Sequence, residues 1–174
     1  MKIRLLFLSL VSTYAFAKVP STGFYLDVGA GASSINYFSN TTSALIRFDG
    51  GFNLNKIVGF QLGIQNYFGA NVNNNNGTFN VNGWGTDFSV IPNIPIGTNA
   101  PVNIFFRLGA GYDSFSSNFA NRSAFIDVLG SGVRYDVSSH LSLTAQWMGR
   151  GLLTTPTSAN YSSNSFLFNI GFYF

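Results

Sequence analysis

Apolar and polar residues take turns along most of this chain. In the final stretch Phe166, Phe168, Ile170, Phe172 and Phe174 share one parity, and Leu167, Asn169, Gly171 and Tyr173 share the other. A period of two marks a β-strand, whose successive side chains leave opposite faces. One face of this strand is almost purely aromatic, so it must meet either a second protein layer or hydrocarbon. The same pattern recurs upstream. Phe24, Leu26, Val28 and Ala30 oppose Asp27, Gly29 and Gly31; Ile46, Phe48 and Phe52 oppose Arg47, Asp49 and Gly51. Val58, Phe60, Leu62 and Ile64 alternate with Gln61, Gly63, Gln65 and Tyr67, and Ile104, Phe106, Leu108 and Ala110 with Arg107, Gly109, Gly111 and Asp113. Leu141, Leu143, Ala145 and Trp147 stand against Ser142, Thr144, Gln146 and Arg150. Charges keep to the second parity in these strands, as they must if the first faces lipid.

Eight such segments are predicted, at residues 23–33, 43–53, 57–68, 83–94, 102–113, 123–135, 141–150 and 164–174. Each has roughly the 9 to 11 residues that a tilted membrane-crossing strand needs. The connections alternate in length. Residues 53–56, 95–101 and 136–140 are short links, whereas 34–42, 69–82, 114–122 and 151–163 are longer and rich in Asn, Ser and Thr. Short periplasmic turns and long external loops are the habit of outer-membrane barrels. The expected fold is therefore all-β: an eight-stranded antiparallel transmembrane β-barrel of up-and-down topology, with both termini in the periplasm.

Two strands fit poorly. In the sixth, Asp127 and Arg134 differ in parity, so both can face inward only if a bulge near Leu129 to Gly132 resets the alternation. In the fourth, Pro92 and Pro95 lack ladder donors and are expected to mark its periplasmic end.

Composition narrows the class. Only 9% of residues are charged, against a usual share of about a quarter. There are 19 Phe and 19 Gly. Met1-Lys2-Ile3-Arg4, the apolar run from Leu5 to Val11 and Ala15-Phe16-Ala17 have the order of an export leader, so residues 1–17 are predicted to be a signal peptide and 18–174 the barrel domain. Removing Lys2 and Arg4 from nine basic residues leaves seven against six acidic ones, so the net charge falls from +3 to +1. The remaining basic residues are dispersed, and no nucleic-acid partner is expected.

Gly23-Phe24-Tyr25-Leu26-Asp27-Val28-Gly29-Ala30-Gly31, Phe106-Arg107-Leu108-Gly109-Ala110-Gly111-Tyr112, Gly132-Val133-Arg134-Tyr135-Asp136, Leu141-Ser142-Leu143-Thr144-Ala145-Gln146-Trp147 and the terminal Phe carry a family resemblance. Over the predicted mature length the chain resembles the small eight-stranded outer-membrane barrels of the OmpA/OmpX type. The resemblance implies residence in the bacterial outer membrane among phospholipid and lipopolysaccharide, as a monomer. Phe172 and Phe174 resemble the carboxy-terminal signal read by the barrel-assembly machinery, which is the second partner it implies. The fold hosts structural proteins, adhesins and a few enzymes, so it does not by itself name an activity.

Candidate chemistry is sparse. The inward charges Asp27, Arg47, Asp49, Asp87, Arg107, Asp113, Arg134 and Arg150 are expected to form ion pairs that fill an interior only wide enough for side chains; a polar path for ions is the alternative. His140 and Ser142 form a His-x-Ser pair similar to the catalytic segment of outer-membrane lipid A deacylases. That family uses a Glu to orient the base, and this sequence has none. His140 also falls in a predicted periplasmic turn, away from the external surface where the palmitoyltransferase barrels need a histidine. With no Cys, no Glu and one His, neither a metal site nor a cofactor is expected. Gly29-Ala30-Gly31 and Gly109-Ala110-Gly111 lie inside strands and suit close packing better than phosphate binding. The Asn-rich tract including Asn73, Asn74, Asn75 and Asn76 is expected to be an external loop that makes surface contacts. The expected function is a non-enzymatic structural barrel whose loops contact a host or cell-surface ligand. Its alternatives are a narrow channel for small or hydrophobic solutes, which planar-bilayer conductance would reveal, and a lipid A-modifying enzyme.

Overall fold

The structure, a computed structural model, describes residues 22–36, 40–74, 77–96, 101–116, 121–151 and 162–174. Its strands are β1 (Gly23–Asn36), β2 (Asn40–Asn53), β3 (Val58–Asn74), β4 (Gly77–Pro95), β5 (Val102–Ser116), β6 (Asn121–Asp136), β7 (Leu141–Arg150) and β8 (Ser162–Tyr173). Each pairs with its sequence neighbours, and β1 pairs antiparallel with β8, from Tyr25 opposite Tyr173 to Asn36 opposite Ser162. The sheet is thus a closed barrel. Closure leaves no free edge inside a bilayer, where an unpaired backbone group would cost several kcal/mol. The predicted leader and Asn75 and Asn76 lie outside the described residues.

Phe24, Phe48, Leu62, Phe88, Leu108, Phe125 and Phe168 are all exposed, while the side chains between them point inward. The predicted parity holds on β1, β2, β3, β5, β7 and β8. On β6 it holds without the expected bulge. Pairing with β5 runs unshifted from Val102–Tyr135 to Ser116–Asn121, so Arg134 faces the lumen and Asp127 shares the outward face with Phe125 and Leu129. No reset is needed because β6 outruns β7. The last β6–β7 rung joins Val128 to Arg150, and the Gly151 amide then donates to the Asp127 carbonyl at 2.9 Å. Asp127 therefore sits past the end of that seam, toward the loop-side rim.

The register shift among the strands occurs instead in β3, between Tyr67 and Ala70, where Gly69 adopts φ +62°. That left-handed conformation is the one place in the strand that favours glycine. Of the two prolines, Pro95 ends β4 as expected, whereas Pro92 does not. β4 continues through Pro92 to Pro95, and the missing donor at Pro92 only interrupts the ladder to β5 between the Val90–Leu108 and Asn93–Phe105 rungs.

At the short turns the predicted strand ends agree with the observed ones to within about a residue, whereas on the loop side every strand except β7 is longer than expected. The largest extension replaces the predicted loop 69–82. There β3 and β4 stay paired, with Asn71 opposite Asn80, Val72 opposite Phe79 and Asn74 opposite Gly77. Backbone hydrogen bonds carry a ladder past the membrane whatever its side chains are, so an Asn-rich composition hides the strand from a hydrophobicity pattern. Among the described residues, β2 pairs with β3 as far as Phe68, and β5 pairs with β4 as far as Asn82. Beyond those rungs β3 and β4 remain paired with each other as a hairpin ribbon.

Candidate functional site: the filled lumen

Inward parity aims nearly all the charged side chains of β2, β4, β5 and β7 at one axis, and the structure gathers them there. Arg47 is fully buried. Its guanidinium donates in a bidentate manner to Asp87, Nη1 to Oδ2 at 2.8 Å and Nη2 to Oδ1 at 2.9 Å, while Nε reaches Asp49 Oδ2 at 2.9 Å and Nη1 reaches Gln65 Oε1 at 2.9 Å. Arg150 Nη1 donates to Asp87 Oδ2 at 2.5 Å, and its Nη2 and Nε grip Asp113 at 2.6 and 3.1 Å. Arg107 completes the cluster at 3.4 Å from Asp87 and 3.6 Å from Asp49, and its Nη2 donates to Gln146 Oε1 at 3.3 Å. Ser89 Oγ donates to Asp87 Oδ1 at 3.1 Å. Asp87 is the hub, with three guanidiniums on one carboxylate. Three Arg and three Asp balance, as a set of buried charges must when water is displaced.

The remaining two expected members lie elsewhere. Arg134 is nearer the turns, 3.4 Å from Asp136 and 5.7 Å over the Tyr173 ring. Asp27 makes no ion pair among those found in the described residues, and its Oδ1 is buried without a hydrogen-bond partner. Asp136, expected in a turn, is instead the last residue of β6 and is buried, accepting from Asn103 Nδ2 at 2.9 Å. Between Asp27, Arg107, Arg134, Gln146, Thr144 and Asn169 lies a cavity of about 20 Å³, room for about one water. Unpartnered polar atoms of Asp27, Arg107, Gln146 and Asn169 border it.

The loop side of the lumen is apolar, which the expectation of a polar interior missed. Ile35, Leu45, Tyr67, Val81, Phe115, Ile126, Val128, Met148 and Leu167 form one buried cluster. Each lies on inward parity: Leu45 precedes Arg47 in β2, and Phe115 follows Asp113 in β5. Continuing the parity count past the charges would have found them. From loops to turns, the lumen is therefore an apolar layer, a charge cluster and a small polar cavity.

Glycines let the arginines lie flat against the wall. A β-carbon added at Gly63 would overlap the Arg47 guanidinium and come 2.6 Å from Asp49 Oδ1. Gly63→Ala is expected to push Arg47 off Asp87 and Asp49 and to lower the midpoint of urea unfolding in detergent. A midpoint equal to that of the parent would show that the cluster tolerates a displaced Arg47.

The His-x-Ser pair does not assemble as a hydrolase site. His140 is exposed on the β6–β7 turn, where its Nδ1 meets Ser139 Oγ at 2.8 Å, while Ser142 is buried in the lumen. Among the described residues no His, Cys, Asp and Glu group could hold a metal. Of the expected contact residues, Asn73 and Asn74 lie in the β3 end of the ribbon.

Comparison with known proteins agrees with this architecture. Residues 3–174 match the family described as outer membrane protein beta-barrel domain. Neisserial surface protein A superposes with a TM-score of 0.69 at 18% identity, covering 87% of this chain and 97% of that one. The barrel of Ail, the attachment invasion locus protein of Yersinia pestis, solved with the heparin analogue sucrose octasulfate, gives 0.61 at 13%, covering 89% and 100%. The N-terminal β-barrel domain of Pseudomonas aeruginosa OprF gives 0.60 at 16%, covering 88% and 99%. At these identities the likeness is one of fold. No curated protein matches the sequence.

Proposed function

This chain belongs to the outer membrane protein beta-barrel domain family, and from that premise we propose that it is a non-enzymatic barrel whose extended β3–β4 ribbon makes surface contacts outside the cell. It resides in the bacterial outer membrane. The observation that carries the proposal is the ribbon itself: β3 and β4 stay paired with each other past Phe68 and Asn82, the last described rungs with β2 and β5. A membrane anchor alone needs no such extension. In sequence it is Asn-rich and free of charge from Gly69 to Asn82, which suits contact with a polar surface and suits poorly a site for acid or base chemistry. Two proteins of similar fold are named for surface location and attachment.

The filled lumen argues for contact over transport. A solute entering from the loops would meet the apolar layer and then the ion-paired cluster. The short turns are assigned to the periplasm and the ribbon to the exterior. Lipid and lipopolysaccharide around the wall, and the assembly machinery acting on Phe172 and Phe174, are the further partners of this reading.

Deleting Val72 to Asn80 and rejoining the strands with Gly-Ser should leave a folded, surface-located barrel and reduce adhesion of expressing bacteria to cultured host cells. An epitope tag at Asn75 should be accessible on intact cells, and one at Asn55 should not. Unchanged adhesion with the deleted protein at the surface would sink the contact role. An exposed tag at Asn55 would invert the orientation.

A further inference from the structure

Two of the three short turns share one backbone design. In the first, the amides of Leu54 and Asn55 both donate to the Val58 carbonyl, at 3.0 and 3.2 Å; in the third, the amides of Val137 and Ser138 donate to the Leu141 carbonyl at 2.9 and 3.1 Å. A polar side chain braces each turn. Asn55 Oδ1 accepts from the amides of Ile57 and Val58 at 2.7 and 2.8 Å, and Ser138 Oγ accepts from the His140 amide at 3.2 Å. The geometry is alike, but only the first turn adds large apolar side chains. Leu54 and Ile57 are 54% and 61% exposed on either side of Asn55 and Lys56, whereas the third turn offers Ser138, Ser139 and His140. Nothing in the backbone of this turn demands exposed Leu and Ile.

The second turn extends the apolar side. Asn93 N donates to the Ile57 carbonyl at 2.6 Å, which ties the first turn to the end of β4. There Ile94 and Ile96 are 53% and 45% exposed, on the parity by which Trp84 and Phe88 face outward. Leu54, Ile57 and Ile96, with Ile94 at the end of β4, thus continue the lipid-facing wall past the strand ends as one apolar foot on the β2–β5 side. The amides of Leu54, Asn55, Ile57, Val58 and Ile96 are bonded within the protein, so most of this backbone needs no water as a partner.

We propose that this foot is a phospholipid-binding surface, seated in the leaflet on the turn side of the membrane, while the third turn stays in water. Lipid is the occupant because the foot has no boundary with the wall that lipid already covers, it has no acidic residue, and its one charge, Lys56, is a basic side chain long enough to reach lipid phosphates while the apolar side chains meet acyl chains. The apolar belt therefore reaches lower beside β2–β5 than beside the β6–β7 turn, and the leaflet follows it. In the orientation proposed above, the leaflet is the inner one.

The chain contains no Cys, so a single introduced thiol can carry a nitroxide without further changes. Ile57→Cys, Ile96→Cys, His140→Cys and Phe168→Cys are to be labelled, refolded into phosphatidylcholine vesicles and probed by collision with oxygen, which favours lipid, and with a nickel chelate, which favours water. The labels at 57 and 96 should resemble the one at 168, with an oxygen-to-nickel ratio several-fold above that at 140. If 57 and 96 instead match 140 while 168 lies in lipid, the foot is aqueous and the inference falls. If 168 is aqueous as well, the membrane setting itself has failed. Should Ile57→Cys not fold, Leu54→Cys reports on the same surface.

Discussion

Asp87→Asn should lower the unfolding free energy of the barrel by about 3–5 kcal/mol, the range for breaking one side of a buried ion pair. The substitution keeps the shape of the side chain and removes its charge. Asp87 takes hydrogen bonds from Arg47 at 2.8 and 2.9 Å and from Arg150 at 2.5 Å, and lies 3.4 Å from Arg107. Without it, three buried guanidiniums share Asp49 and Asp113, so the cluster goes from balanced to one positive charge in excess. The Asn amide would also turn two donors toward donors. Asp27→Asn is the matched control, since Asp27 is inward-facing but makes none of the described ion pairs, and its loss should cost less than about 1 kcal/mol. Urea titration in detergent micelles, followed by electrophoretic mobility without boiling, measures both. If Asp87→Asn is no worse than Asp27→Asn, the cluster is incidental to the stability of the barrel.

The strands and their facing were legible because hydrocarbon imposes a strict rule. A residue such as Phe168 on the lipid side and Asn169 on the lumen side declare themselves by alternation alone. Where that rule stops acting, legibility stopped as well. The ribbon formed by the ends of β3 and β4 shows no lipid-facing alternation in its sequence, and its pairing rests on backbone hydrogen bonds that leave no mark on side-chain polarity. The bulge expected in β6 came from treating Asp127 as a mid-band residue, although the strand end that places it near the rim belongs to β7. Which charges meet was also beyond parity. Arg47 and Asp87 are 40 residues apart in sequence and are joined across β3, a matter of strand tilt and register that no single strand records. Likewise the apolar layer of Ile35, Leu45 and Phe115 was overlooked because the lumen was assumed polar throughout, though their parity was readable.

Phe168→Arg should strongly reduce folding into vesicles, by about 2–4 kcal/mol if residue 168 lies near the midplane, because the charge would enter hydrocarbon. Phe168 is 76% exposed in the middle of β8, flanked by outward-facing Ala30 on β1 and Ala145 on β7. Neither neighbour offers a partner for a guanidinium. The cost should fall with depth, so Phe172→Arg should be milder and Phe174→Arg, at the turn-side rim, milder still. Asn169→Ser, which points inward between Gly29 and Thr144, should cost least, since it exchanges one small polar lumen group for another. The folded fraction in vesicles, read from the mobility of unboiled samples, should therefore order as Asn169→Ser, Phe174→Arg, Phe172→Arg, Phe168→Arg. In cells the order should change. If Phe174 is read by the assembly machinery, its replacement will impair insertion there far more than its rim position predicts, whereas Phe168→Arg should be poor in both settings. An identical ranking in vesicles and in cells would leave Phe174 with a lipid role and no signalling one. Equal tolerance of Phe168→Arg and Asn169→Ser in vesicles would reverse the facing of β8.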